Sequence, residues 1–416
     1  MTRTSWIIMW TAFSAGVLAT FVQFSIPPIL PLLKNQYQVT YTDSALLMSL
    51  FALATVLSAV PGGFIVQKYG VRKIGLVGLG FLFMGIVASL LANNFSIILI
   101  GRIIGGIGFG LVSVAAPSAV GQYVPPKMMS VAMGIWSTWI PVGSLIMFLS
   151  APKIVLSFGT NVYWILILIV LALGFLVYAK IIPKHVQESA NDEKSSLQAD
   201  KPKKDVILDE IKNKNIWWAG LAFASFTFAF FSFNTWITTY LTETTTMSLA
   251  VVTLIPSLVS LLTMTSNVYS GFLLKKLGNH LVVFLVPALF FIIVWPVFTS
   301  SSLIMLVGNA VILGLFSGFI PTIVFASAPL LAKRKESIGI AMSIIIIGEN
   351  VGVLIGPEVF GLLRQWTGAF TAGFWSLSIA SVVMMIASIQ IWRSGVFGEK
   401  SGITLKQKEN SLQEEI

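Results

Sequence analysis

Long apolar runs, each closed by a short polar stretch, recur along the whole chain. A helix needs roughly 20 apolar residues to cross the hydrocarbon core of a bilayer. About twelve runs reach that length: 6–33, 44–67, 74–92, 95–121, 128–151, 162–182, 216–241, 247–274, 281–298, 303–332, 338–363 and 367–392. The expected fold class is therefore an all-α membrane protein with twelve transmembrane helices. The connectors are short, with one exception. Residues 183–214 mix both signs of charge, Lys184, Glu188, Asp192, Lys203, Asp209 and Glu210 among them, and part the runs six and six. Such a segment reads as a solvated linker, with a short amphipathic helix expected near Val206–Ile211. The chain divides into an N-terminal six-helix half (1–182), the linker (183–214), a C-terminal six-helix half (215–392) and a polar tail (393–416).

The two halves echo one another. GFIVQKYGVRK, from Gly63 to Lys73, follows the second run, and GFLLKKLGNH, from Gly271 to His280, follows the eighth. Each keeps glycines at both ends of an eight-residue frame, Gly63 with Gly70 and Gly271 with Gly278. Each also places basic residues, Lys68, Arg72 and Lys73 or Lys275, where a helix would leave the bilayer. Gly271 follows Gly63 by 208 residues, half of the 416-residue chain, which argues for a duplicated architecture. AMG at Ala132–Gly134 and AMS at Ala341–Ser343 open the fifth and eleventh runs at nearly the same interval, 209 residues.

Basic residues also set the orientation. Connectors after even-numbered runs carry Lys68, Arg72, Lys73, Lys127, the linker lysines, Lys275, Lys276, Lys333, Arg334, Lys335, Arg393 and Lys400, whereas those after odd-numbered runs carry only Lys34, Lys153 and Arg364. By the positive-inside rule both termini and the linker are expected in the cytoplasm. The apolar run that begins the chain is too long for a secretory signal and reads as an uncleaved first helix.

Composition agrees and narrows the function classes. With 56% hydrophobic residues, 10% charged and a mean hydropathy of +0.90, the apolar side chains exceed what one soluble core can hold. The net charge of +10 is spread over short connectors with no soluble module to present it, so no nucleic-acid partner is expected. The absence of cysteine rules out disulfides and thiolate metal sites, and the two histidines, His185 and His280, both fall in polar loops. The glycine cluster Gly105–Gly110 lies inside an apolar run without a preceding strand, so it reads as close helix packing and not as a dinucleotide fingerprint. No phosphate-binding loop, metal-ligand spacing or Ser-His-Asp set appears; no metal, cofactor or enzymatic activity is expected.

On these residues the chain resembles the major facilitator superfamily of secondary transporters over nearly its full length. The loop after the second run resembles that family's G-x-L-x-D-R-x-G-R-R/K pattern through Gly63, Ile65, Lys68, Gly70, Arg72 and Lys73, with Gln67 at the acidic position. The resemblance implies a conformational-gating role for this loop and for its echo at Gly271, Lys275 and Gly278, with the latch weakened at Gln67 because glutamine cannot form an ion pair. Arg102, Gly106 and Gly108 resemble the family's R-x-x-x-G-x-G motif. The antiporter signature is not met on the fifth run, which reads WIPVGS at Trp139–Ser144, although a Gly-Pro pair stands at Gly356–Pro357. Wording at Met133–Ser144 and Asn234–Leu241 is similar to the cyanate and nitroimidazole branch.

Charged residues inside the runs are the candidates for chemistry, since each costs about 2.5–3.5 kcal/mol to insert. Arg102 is read either as a substrate-binding cation or as an arginine satisfied by carbonyls. Glu349, between Gly348 and Gly352, is read as a proton-coupling carboxyl, as a structural hydrogen-bonding group aided by Asn350, or as a partner of Arg102. Gln23, Asn234 and Asn309, with Trp139, Trp236 and Tyr240, are the remaining candidate substrate-binding residues, their alternative being interhelical hydrogen bonds and packing. The resulting expectation is a monomeric, multi-pass transporter of the cytoplasmic membrane. It would move a small anion by alternating access, with protons and the lipid bilayer as its other partners. The alternatives are a proton-coupled exporter of amphipathic drugs and a transport-inactive sensor.

Overall fold

A computed structural model describes residues 3–125, 128–183, 209–277, 280–300, 302–334 and 337–393. Among the described residues every regular element is helical. The first group comprises α1 (Arg3–Gln23), a 3₁₀ turn (Pro27–Ile29), α2 (Leu30–Tyr37), α3 (Tyr41–Tyr69), α4 (Val71–Leu90), α5 (Phe95–Tyr123), α6 (Met129–Trp136) and α7 (Trp139–Ile181). The second comprises α8 (Lys214–Thr244), α9 (Leu249–Val252), α10 (Leu254–Leu277), α11 (His280–Val297), α12 (Leu303–Ser317), α13 (Phe319–Leu331), α14 (Ile338–Thr367) and α15 (Thr371–Arg393). Ten helical stretches are long and apolar enough to cross a membrane, and Leu285–Val297 is a shorter apolar helix. Outward faces carry apolar side chains such as Leu57, Leu173, Ile293 and Ile304, as a helix solvated by lipid requires.

Helix ends follow local chemistry. Thr40 caps α3 with a reciprocal box: its side chain accepts from the Asp43 amide at 3.1 Å, while Asp43 accepts from the Thr40 amide at 3.1 Å. Asn94 caps α5 by accepting from the Ile97 amide at 3.1 Å. α1 stops where Pro27 and Pro28 lack the amide hydrogen a helix would use, and the buried Tyr163 hydroxyl donates to the carbonyl of Ser25 left at that break, at 2.8 Å. The fifth and sixth expected runs differ most from expectation. They appear as the short α6 and the 43-residue α7, the latter interrupted only at Gly159 with φ 83° and ψ 168°. One residue in a left-handed conformation suffices to leave the helix there, inside the connector expected at 152–161.

Within each group small residues let backbones meet. A methyl placed on Gly85 of α4 would lie 2.7 Å from the Gly101 carbonyl oxygen on α5. On α14, Gly348, Gly352 and Gly356 recur one turn apart, each against a carbonyl of α8, those of Gly220, Ala224 and Phe228. Across the groups, α3 packs against α14 and α7 against α10. Residues 184–208 of the expected linker and the tail from 394 lie outside the described residues, as does the start of the expected amphipathic helix; its end, Asp209–Ile211, is helical.

Candidate functional site

Arg102 sits in the N-terminal third of α5 with 2% of its surface exposed. Its Nε donates to the Leu47 carbonyl at 2.7 Å, one Nη to Val22 at 2.6 Å and the other to Gln23 at 3.1 Å. The guanidinium also lies 4.2 Å from the Phe51 ring centroid. The α1 carbonyls are within reach because α1 ends at Gln23, and Gly105 and Gly106 keep α5 close to α1 and α3. In this conformation the cation ties α1, α3 and α5 together and has no carboxylate partner among the described residues. The expected alternative of an Arg102–Glu349 pair does not form.

An aromatic series runs on from Arg102. Phe51 meets Phe109 at 5.4 Å between centroids, Phe109 meets Trp139 at 5.3 Å, and Trp139 stacks on Trp136 at 5.2 Å. The tryptophan pair brackets the break between α6 and α7 and rests on Gly16 of α1, whose hydrogen leaves the room they use.

Several expected cavity residues are instead spent on packing inside one group. Trp236 is fully buried, donates from Nε1 to the Pro357 carbonyl at 2.9 Å and stacks on Phe360. Asn309 is buried and donates to the Val294 carbonyl. Asn234 donates back to Phe230 on its own helix at 2.8 Å. Gln23 keeps a buried Oε1 without a protein partner, as do the Thr238 and Thr239 hydroxyls. Glu349 is half-buried between the contact glycines of α14, and its carboxyl has no hydrogen bond or ion pair among the described residues. Its carbonyl accepts from Thr227 at 2.7 Å. Asn350 bonds to the Ile346 carbonyl of its own helix at 2.8 Å.

The structure also assembles a cluster that motif reading passed over. Glu243, in the last turn of α8, accepts from Tyr41 at 2.6 Å and pairs with Lys34 and Arg364 at 3.4 Å each. The Arg364 guanidinium lies 4.5 Å from both the Tyr41 and Phe370 rings, and its Nη2 donates to the Tyr41 hydroxyl at 3.0 Å. Nearby, Gln365 accepts from the Thr42 amide and hydroxyl at 3.1 and 2.8 Å, and Glu358 accepts from Ser49 at 3.0 Å. Lys34, Tyr41, Thr42 and Ser49 belong to the first group and the others to the second, so these contacts clasp the two groups at one end. Towards the opposite ends of α3 and α10 the packing among the described residues is open: a methyl on Gly63 would meet nothing within 4 Å, and one on Gly271 only Thr322, at 3.9 Å.

The model of the Major Facilitator Superfamily matches residues 12–295 and 241–402 of the chain. The chain belongs to this family. Major facilitator proteins are transporters, and two relatives that match most of this chain are named as such. The chain is 23% identical over 406 residues to the hexuronate transporter of Bacillus subtilis, covering 94% of this chain and 95% of that one. It is 24% identical over 394 residues to the probable anion transporter 6 of Arabidopsis thaliana, covering 88% and 73%. The quinolone resistance protein NorA of Staphylococcus aureus matches 119 residues at 26% identity, 29% of this chain and 31% of that one. Among solved structures, a bacterial homologue of the human lysosomal transporter Spinster in an inward-facing, unoccupied conformation superposes with a TM-score of 0.75. It covers 96% of this chain and 99% of that one at 15% identity, a likeness of fold alone.

In the loop that carries the family pattern, Gly70 takes φ 85° and joins α3 to α4 without an intervening residue. Arg72 donates to the Ala179 carbonyl at the end of α7, and the Tyr178 hydroxyl donates to Val71 at 3.1 Å, which fastens α4 to α7. Lys68 and Lys73 are exposed. The side chains of Gln67 and Lys275, and all of Gly278, lie outside the described residues.

Proposed function

We propose that this major facilitator protein is a secondary transporter of small organic carboxylates, a hexuronate being the first substrate to test. The observation that carries the reading is the end-to-end similarity to two proteins named as hexuronate and anion transporters, against a match to the drug-resistance protein that spans under a third of the chain. The missing antiporter signature on the fifth expected run points the same way.

Twelve membrane passes account for the architecture if α7 makes two, reversing at Gly159, and α11 makes one. The passes form two six-helix repeats, with both termini and the linker on the cytoplasmic side by the distribution of basic residues. The clasp of Lys34, Tyr41, Glu243 and Arg364 then lies on the extracellular side and the open space at Gly63 on the cytoplasmic side, an arrangement closed to the outside. Substrate crosses as the groups rock about the contacts of α3 with α14 and α7 with α10. Glu349, a carboxyl without a partner inside an apolar helix, couples the cycle to protons.

The decisive experiment is counterflow in proteoliposomes. Labelled D-glucuronate enters vesicles preloaded with unlabelled D-glucuronate, and D-glucose does not compete. Exchange of a quinolone without exchange of any carboxylate would reverse the assignment in favour of a drug exporter.

A further inference from the structure

Within the clasp Lys34 and Arg364 share one carboxylate, Glu243, so neither cation has a counterion of its own. Both ion-pair distances, 3.4 Å, are long beside the roughly 2.7–2.9 Å of a well-formed charge-assisted bond. Arg364 also retains a buried Nε with no protein partner, whereas Arg102 has carbonyls on all three nitrogens. A cavity of about 430 Å³ opens beside Arg364, its described lining contributed by the second group alone. Glu243, Arg364, Tyr240, Thr299, Ser300 and Thr371 supply its polar side. The Thr299 hydroxyl donates to Pro296, leaving its lone pairs to accept, whereas Ser300 donates to the Met305 sulfur and already accepts from the Ser302 amide at 3.2 Å. An arginine fork without a counterion of its own and hydroxyl acceptors beside it are the groups that recognise a carboxylate carrying hydroxyls.

We propose that this cavity is an outer docking site for a small hydroxylated carboxylate. The ligand's carboxylate takes Arg364 from Glu243 and Tyr41, so arrival of the anion loosens the clasp between the helix groups. The site is distinct from the interior residues around Arg102 and Glu349, and the inference rests on the carboxylate reading above.

The chain contains no cysteine, so Ser49→Cys gives one thiol at a position that is buried while the clasp is shut. The rate at which a maleimide labels it is measured in detergent-purified protein. D-glucuronate is expected to raise the rate several-fold and D-glucose to leave it unchanged. Thr299→Trp, which fills the cavity, is expected to abolish the acceleration and, in proteoliposomes, to raise the apparent KM for D-glucuronate several-fold at an unchanged maximal rate. Arg364→Lys, which keeps the charge and loses the fork, is expected to fall between. Acceleration that survives Thr299→Trp, or no acceleration in the Ser49→Cys parent, overturns the docking site. Labelling in detergent needs no transport, so absence of counterflow, which would sink the carboxylate reading, is seen separately.

Discussion

At the residue scale, the two charges inside the apolar runs have opposite surroundings. Arg102 is saturated by main-chain carbonyls of α1 and α3, and each carbonyl orphaned in an apolar interior costs about 1–3 kcal/mol. Arg102→Ala is therefore expected to lower the Tm in detergent markedly, with Arg102→Lys recovering part of the loss. An unchanged Tm together with lost anion affinity would instead make Arg102 a substrate ligand. Glu349 has no such commitments among the described residues. Glu349→Gln is expected to abolish accumulation driven by a proton gradient while sparing counterflow, and preserved accumulation would remove it from coupling. A second carboxylate lies outside the membrane spans. Asp209 is held below the usual carboxylate range chiefly by its hydrogen bond from Lys333, at 2.7 Å. A depressed folded pKa means this contact stabilises above the ordinary range and is lost as pH falls through the lowered value. Asp209→Asn is accordingly expected to flatten the acid limb of the Tm-versus-pH profile, and an identical limb in both proteins would refute the linkage.

At the element scale, hydrophobic length alone located most helices, because crossing a bilayer leaves few other ways to satisfy a backbone. The runs expected at 44–67, 95–121, 216–241 and 338–363 lie within α3, α5, α8 and α14. The breaks were hidden for the same reason. Pro27 and Gly318 sit in apolar surroundings, and proline or glycine inside a membrane helix does not by itself announce a stop, whereas Gly159, between Ser157 and Thr160, falls in the connector expected at 152–161. At Gly318 the freed amide donates to Ser266 on α10 at 2.9 Å, a partner set by tertiary contact. The site was legible in part. The rarity of Arg102 and Glu349 marked them, but the carbonyls that hold Arg102 are main-chain groups with no sequence signal. Trp236 and Asn309 looked available because composition cannot say which face a helix turns inward. Glu243 offered only its charge at a helix end, and its significance comes from Lys34 and Tyr41, some 200 residues away. The close contact of α8 with α14 carries its own test. A methyl on Gly352 would lie 2.1 Å from the Ala224 carbonyl oxygen. Gly352→Ala should cost about 1–3 kcal/mol through overpacking, read as a lower Tm; equal Tm values would mean the helices separate freely.

At the scale of the whole molecule, the clasp at one end and the open packing at the other are what the proposed rocking of the two groups requires of one of its positions. A Cβ at Gly63 would have no described atom within 4 Å, so Gly63→Leu is expected to leave the Tm unchanged. If the two groups close over Gly63 in the alternate position, the same variant should lose transport, and full transport would show that α3 never packs there. One contact links the linker to this motion. Glu210, fully buried, accepts from Asn213 at 2.7 Å, from the Lys333 amide at 3.1 Å and from Ser337, while Asn213 donates to the Leu331 carbonyl at 2.9 Å. The end of the linker is thereby moored to the turn between α13 and α14, and moves as cargo of the second group. A chain severed ahead of Asp209 keeps that mooring on its downstream piece, so two separately expressed fragments joined at such a cut should reassemble into a working pair.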